Sequence, residues 1–248
     1  MDFGSMLDES LVFAREGVWG KWSRWVLLIV SMVIFPLILG YIVRIYRGEK
    51  TAPEPGDWGT LFVDGLRLLL VQIIYFLPVI LLAILAFVPI ISTLVTSGAL
   101  YEDFGAMSDY QAGRWLDSHP ELMSAAGIMV VLFLVAIVLA IIISIFSFLG
   151  VVRFARTRSI SEAFHFSAIL AHIGRIGRVN YIMALIVITV IGFIFGMIMN
   201  IFSFIPVLGD MIGLIVLMVL YVPYILFSAR FSTIVYEAGE EKPPGIRD

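Results

Sequence analysis

The stretch Ile128–Val152, IMVVLFLVAIVLAIIISIFSFLGVV, contains no charged residue. It is longer than the ~20 helical residues that cross a bilayer core. In lipid a backbone must satisfy its own hydrogen bonds, so such a stretch is helical. Four more apolar stretches accompany it: Trp25–Val43, Leu68–Val95, Tyr181–Phe204 and Met211–Val235, each uncharged in its central part. The expected fold is all-α, a polytopic transmembrane helical bundle of five spans with interfacial amphipathic helices. A sixth or re-entrant segment stays open. Residues 1–236 form one helical membrane domain, and 237–248 a short flexible cytoplasmic tail. Composition agrees: 61% of residues are hydrophobic and 14% charged, against about 25% charged in soluble proteins. Mean hydropathy is +1.04. No extramembrane segment reaches the ~50 residues of a separate folded domain.

The chain has no cysteine, which removes disulfides, thiol catalysis and cysteine-ligated metals. Asp2, Asp8, Glu9 and Glu16 precede the first apolar run, unlike the basic start of a cleaved signal peptide. No lipidation motif is expected either. Basic residues mark cytoplasmic loops. The segment 44–67 holds Arg44, Arg47, Lys50 and Arg67; 153–178 holds Arg153, Arg156, Arg158, Arg175 and Arg178 against Glu162. Between them, 97–127 holds Glu102, Asp103, Asp109, Asp117 and Glu121 with Arg114 alone basic. The two basic loops and the C-terminus, with Lys242 and Arg247, are therefore expected in the cytoplasm of a multi-pass cell-membrane protein. The first apolar stretch resists the rule, because Arg15, Lys21 and Arg24 precede it and Arg44 and Arg47 follow it. A plain crossing puts the N-terminus outside; a bend at Pro36 puts it inside.

A repeat organises the chain. DFGSMLDESL (Asp2–Leu11) precedes the first stretch and DWGTLFVDGL (Asp57–Leu66) the second, with Asp, Gly and Leu identical. SISEAFHFSA (Ser159–Ala168) is a weaker third copy, aided by Ala171, Gly174, Gly177 and Arg178 matching Ala14, Gly17, Gly20 and Lys21. The unit reads as an amphipathic helix followed by a span. In the second copy Trp58, Leu61, Phe62, Leu66 and Leu69 make an apolar stripe, with Thr60, Asp64 and Arg67 opposite and Asp57 as N-cap. In the third, Glu162, His165, His172 and Arg175 oppose Phe166, Ile169, Leu170 and Ile173. Such helices suit the headgroup plane, and Trp19, Trp22, Trp25, Trp58 and Trp115 suit an aromatic belt. Pro78 and Pro89 are expected to end an interfacial helix and kink the following span.

Three strings, Gly40-Tyr41-x-x-Arg44, Pro53-x-Pro-x-Asp-Trp58-Gly-x-Leu-Phe-x-Asp64-Gly65-Leu66 and Ile74-Tyr-x-x-Pro78, resemble the archaeal membrane-protein family called domain of unknown function 4013. The resemblance covers nearly the whole chain. That family is similar in layout to the membrane domain attached to some glycerophosphodiester phosphodiesterases. The resemblance implies an archaeal cytoplasmic membrane and a polytopic helical fold, and no activity; the soluble phosphodiesterase domain is absent.

Chemistry is sparse. The polar residues placed at depth are Gln72, Ser144, Ser147, Thr189, Asn200 and Ser203, and helical serines usually bond their own backbone. No Gly-x-Ser-x-Gly, His-Glu-x-x-His or phosphate-binding loop occurs. His165 and His172 lie seven apart, where zinc pairs on a helix lie four apart. His119 sits in an acidic segment, Asp117–Glu121, that reads as solvated. No catalytic residue, cofactor or metal is expected, nor nucleic acid as a partner. Gly192-x-x-x-Gly196 lets a helix approach closely, which suits internal packing first and a homo-oligomer second. The five arginines of 153–178 are candidates for anionic lipid headgroups, at about 1 kcal/mol each near the surface.

The expectation is an integral membrane protein without enzymatic activity that organises the membrane or interacts with lipid. A small-molecule or lipid transporter or channel subunit is the next alternative, with Pro36, Pro89 and Pro223 as helix breaks. A lipid-modifying enzyme is the third, with a site around Asp64, Arg67, His165 and His172.

Overall fold

The computed structural model describes residues 1–98, 107–204 and 209–240. Glu102, Asp103, Pro206 and the tail from Glu241, including Lys242 and Arg247, lie outside them. The described residues form helices and no strands. In chain order these are α1 (Phe3–Val18), α2 (Trp22–Val33), α3 (Phe35–Tyr46), α4 (Trp58–Thr96), α5 (Asp109–Asp117), α6 (Pro120–Thr157), α7 (Ile160–Ala163), α8 (Phe166–Ile176), α9 (Arg178–Asn200) and α10 (Gly209–Glu237). A 3-10 turn, Ile201–Phe204, follows α9. Four helices, α4, α6, α9 and α10, are long and apolar enough to cross a membrane. This is a multi-pass all-α membrane protein.

The first apolar stretch is not one of those four. It divides into α2 and α3, of 12 residues each. Each is roughly 18 Å long at 1.5 Å per residue, short of the ~30 Å hydrocarbon core. The break falls at Ile34, with φ −100° and ψ 80°, where Pro36 enters the first turn of α3. Proline removes the amide that would bond Met32 and disfavours helix at the residue before it.

Pro78 acts differently. The expected helix end there does not occur, since α4 runs unbroken for 39 residues through both Pro78 and Pro89. Each proline removes one hydrogen bond, whereas a break in lipid would strand several backbone groups.

Contacts divide the chain into two compact units, one of residues 1–72 and 145–248, the other of 73–144. In the second, Ala86 and Ala136 are buried, and Phe87 meets Phe133 edge-on at 5.4 Å. A reciprocal Ser108–Gln111 capping box starts α5.

The first unit carries the larger core. Phe13, Leu28, Tyr41 and Ile45 pack with Leu61 of α4 and with Val222, Leu226 and Ala229 of α10. Helix α1 runs antiparallel to α10: Glu9 pairs with Arg230, and Gly17 lies against Leu226. Further on, the Trp25 indole donates to the Val219 carbonyl at 3.0 Å. That carbonyl lacks its usual helical partner because residue 223 is proline. Helix α3 then returns, and Thr233 Oγ1 donates to the Ile45 carbonyl at 3.3 Å. The start of the first apolar stretch thus meets α10 at Val219, and its end meets it fourteen positions further on, at Thr233. The N-terminal helix stands with the basic segments, at what we call the basic end.

Helices α3 and α4 cross antiparallel with backbones in contact. A Cβ on Gly40 would overlap the Leu61 carbonyl, and one on Gly65 would overlap the carbonyl of Pro36. Only residues without a side chain fit so close a crossing.

The amphipathic faces also differ from expectation. In the first turns of α4 the buried side is Leu61, Asp64, Gly65 and Leu68, while Trp58, Phe62 and Leu66 face outward. In α8, His172 is buried with Ile169 and Ile173, while Phe166 and Leu170 are exposed. Beside a bilayer the outward face is the apolar one, and the inward face can hold polar groups that have partners.

Candidate functional site

The basic end is built around charges that the fold pairs internally. Arg230, 5% exposed, binds Glu9 through Nε and Nη2. Its Nη1 lies 3.7 Å from Glu237 Oε2. Glu237 also accepts from Arg156 Nη2 at 2.6 Å, and Arg156 Nη1 lies 3.7 Å from Glu240. Arg156 Nε donates to the Tyr46 carbonyl at 2.8 Å. Gly48 has φ +96°, and a Cβ there would come within 2.8 Å of the Arg156 guanidinium. One chain of charges therefore ties α1, α3, α6 and α10. Arg230 is the buried member of this chain; its carboxylate partners Glu9 and Glu237 keep 53% and 32% of their side chains exposed, so solvent screens the pairs. Arg230 has a legible signal, a lone base near the end of the run Met211–Val235; its partners, more than two hundred residues away and at the helix end, do not.

Most of the residues that carry the family resemblance gather where α3 meets the start of α4. Asp64, 4% exposed, accepts from Arg47 Nη2 at 2.6 Å and lies 3.6 Å from Arg67 Nη1. Tyr41 Oη donates to the Pro53 carbonyl at 2.7 Å. Arg44 donates to the Glu54 carbonyl at 3.3 Å and lies 3.8 Å from Asp57. Asp57, the expected N-cap, has φ +51°. Arg24, buried, binds the Glu54 carboxylate. Gly40 and Gly65 provide the crossing beneath. The segment between α3 and α4 is thus strapped down by three arginines and a tyrosine. Trp58 is exposed at the start of α4, and Pro78 lies on α4 in the other unit. Among the described residues Asp64 makes no hydrogen bond or ion pair with His165 or His172: His165 lies 3.7 Å from Glu162, and His172 has partners of its own.

Of the five loop arginines, three are engaged. Arg153 binds Glu162 through Nε at 2.9 Å and through Nη2, and this holds the Glu162 carboxyl below the usual carboxylate range. Arg156 is in the charge chain. Arg175 Nε donates to the Gly239 carbonyl at 2.7 Å, and Nη2 donates to His172 Nδ1 at 2.9 Å. Guanidinium can only donate, so His172 Nδ1 accepts and Nε2–H donates to the Tyr236 carbonyl at 2.8 Å. The first residues of the expected tail, through Glu240, are held by these contacts. Arg158 and Arg178 are exposed and take part in no ion pair or side-chain hydrogen bond among the described residues. Exposed Phe166 and Leu170 lie on α8 and exposed Val179 follows Arg178 at the start of α9, while Arg158 lies just after α6.

Gly192 and Gly196 line a groove of about 670 Å³ with Phe193, Met197, Asn200 and Ile201. A Cβ on Gly192 would stand 3.0 Å from Tyr224 Oη of α10, while Gly196 has nothing within 4 Å of that position. Gly192 therefore serves packing inside the chain, and Gly196 opens onto the groove. In the acidic segment between α4 and α6, His119 stacks on Trp115 at 4.0 Å. No group of three or more His, Asp or Glu converges among the described residues.

A family model described as Protein of unknown function (DUF4013) matches residues 25–204. Neither a curated protein nor a solved structure matches the chain.

Proposed function

The chain belongs to the DUF4013 family of proteins of unknown function, and we propose from its own surface that it is a non-enzymatic protein that binds anionic lipid headgroups at its basic end. The observation that carries this is the pair Arg158 and Arg178. Both are exposed and without an ion partner among the described residues, on a segment that also exposes Phe166, Leu170 and Val179. Apolar side chains that enter the acyl boundary hold the arginines at headgroup height. Each such cation contributes about 1 kcal/mol toward an anionic surface. Arg153, Arg156 and Arg175 shape the same surface, with their charge partly spent on Glu162, Glu237 and the Gly239 carbonyl. The basic end then faces the cytoplasmic leaflet of the cell membrane, following the positive-inside rule.

The test uses purified full-length protein in mild detergent, with phosphatidylglycerol and phosphatidylcholine added and native mass spectra recorded. Arg158→Gln with Arg178→Gln should abolish the preference for phosphatidylglycerol, and rising salt should do the same to the wild type. Equal retention of phosphatidylglycerol by wild type and double variant would overturn the proposal. Time-dependent lipid products would instead support the enzymatic alternative.

A further inference from the structure

We propose that α2 lies across one leaflet at the basic side as a fixed wedge, and that the protein therefore favours curved or loosely packed membranes. The argument starts from height. Trp25, near the start of α2, is bonded to Val219 of α10, whereas Ile45, near the end of α3, is bonded to Thr233. Ile45 follows Pro36 by nine residues, a rise of roughly 14 Å. Laid alongside α10, that rise leads from Thr233 back to about the level of Tyr224. Trp25 and Pro36 therefore differ in height by only about 8 Å, although the eleven positions that separate them are worth roughly 17 Å of helix. Helix α2 runs across α10 more than along it.

Its faces agree with that placement. Val26, Val30 and Val33, at i, i+4 and i+7, are exposed, Val33 at 75%, and Ile34 and Phe35 extend the stripe. Arg24, Leu28 and Ser31 form the buried side. The Arg24 charge is met by Glu54, so no charge is presented on the apolar stripe. At the start, Trp19 and Trp22 are exposed, Trp22 stacks on Trp25 at 5.5 Å, and Lys21 lies between them. Indoles and a lysine at one end of an apolar face mark the boundary between headgroups and acyl chains. The occupant of this face is that boundary, continuous with the bilayer the four crossing helices already require. The Trp25–Val219 bond and the shared core with α10 fix the helix to the bundle. It displaces lipid in one leaflet without spanning the other, the condition under which in-plane helices become sensitive to curvature.

The test is independent of the arginine reading, because it uses neutral phosphatidylcholine membranes and the full-length chain. The absence of native cysteine allows fluorescent labelling at a single Ser159→Cys site. On membrane tubes pulled from flat bilayers, density per area should rise about twofold or more. Val30→Glu with Val33→Glu should remove the enrichment while the protein still inserts. A nitroxide on Val33→Cys should report a depth just below the headgroups, and on Ser31→Cys a protein-shielded site. Equal density on tubes and flat membrane would overturn the wedge. So would impermeant maleimide labelling of Ser5→Cys and Glu49→Cys from opposite sides, which means a crossing. Dimers cross-linked through Val33→Cys would also overturn it, by showing a second copy on the face.

Discussion

Gly65→Ala tests the tightest point of the fold. A Cβ at Gly65 would overlap the Pro36 carbonyl oxygen and stand 2.7 Å from its carbon and 2.8 Å from the Gly40 nitrogen. Carbon contacts are optimal at about 3.5–4.0 Å, and the overlapped carbonyl oxygen needs still more room, so α3 and α4 must part by at least about 1 Å. The obstacle is backbone on a second helix and cannot be relieved by a rotamer change. A gap of that size forfeits a quarter to a half of the dispersion between the facing side chains, here Tyr41, Leu61 and Leu68. It also stretches the 2.6 Å Arg47–Asp64 bond. Overpacking of this kind costs about 1–3 kcal/mol, and the coupled ion pair places the expectation at about 3. At about 2–4 °C per kcal/mol, the Tm should fall by about 6–12 °C. The assay is thermal unfolding in one detergent, followed by tryptophan fluorescence. Gly59→Ala is the control: it lies on the same helix, has nothing within 4 Å of its Cβ position, and should be neutral or stabilising by up to about 1 kcal/mol. If Gly65→Ala melts with the wild type, the backbone crossing is not what holds α3 to α4.

Trp25→Phe should cost about 1–3 kcal/mol by stranding the Val219 carbonyl, read as a lowered Tm; in a Pro223→Ala background the restored amide takes that carbonyl, and the penalty should shrink. An equal penalty in both backgrounds would show that the indole acts through packing alone. Stability should also fall below neutral pH through His172. Burial first, with Arg175 and Arg153 adding to it against the Tyr236 carbonyl bond, lowers its pKa from the ordinary 6.5, so the unfolded chain binds the extra proton first. That stability is fully present above 6.5, and it is lost as pH falls through the lowered folded value. Thermal melts at about pH 7.5 and about pH 5 should separate wild type from His172→Gln, with the wild type losing more on acidification; parallel losses would refute the assignment.

Much of the architecture is legible in the chain because lipid imposes a simple rule. An uncharged run such as Ile128–Val152 must become helix, and α6 contains all of it. The repeat also has a structural counterpart. Met6 and Leu61 are buried at matching positions, Glu9 and Asp64 each pair with an arginine of an antiparallel helix, and Ser10 and Gly65 are both buried. The third copy does not follow this pattern beyond Ala163, which fits its weaker sequence match. The charge chain was not legible, since bonded partners in it are separated by up to 221 positions. Nor was the direction of the amphipathic faces: periodicity shows that a helix has two faces, and only the neighbours decide which one meets lipid.

The sequence by itself determined that this protein is helical, membrane-embedded and basic at one set of loops, because apolar length and charge placement act locally. Tertiary structure decided that the first apolar stretch breaks into two short helices at Pro36, that α4 runs on through Pro78, and which arginines stay free. Those outcomes depend on partners distant in the chain: Val219 for Trp25, Glu237 for Arg156, and a carbonyl of α3 where Gly65 leaves room for it.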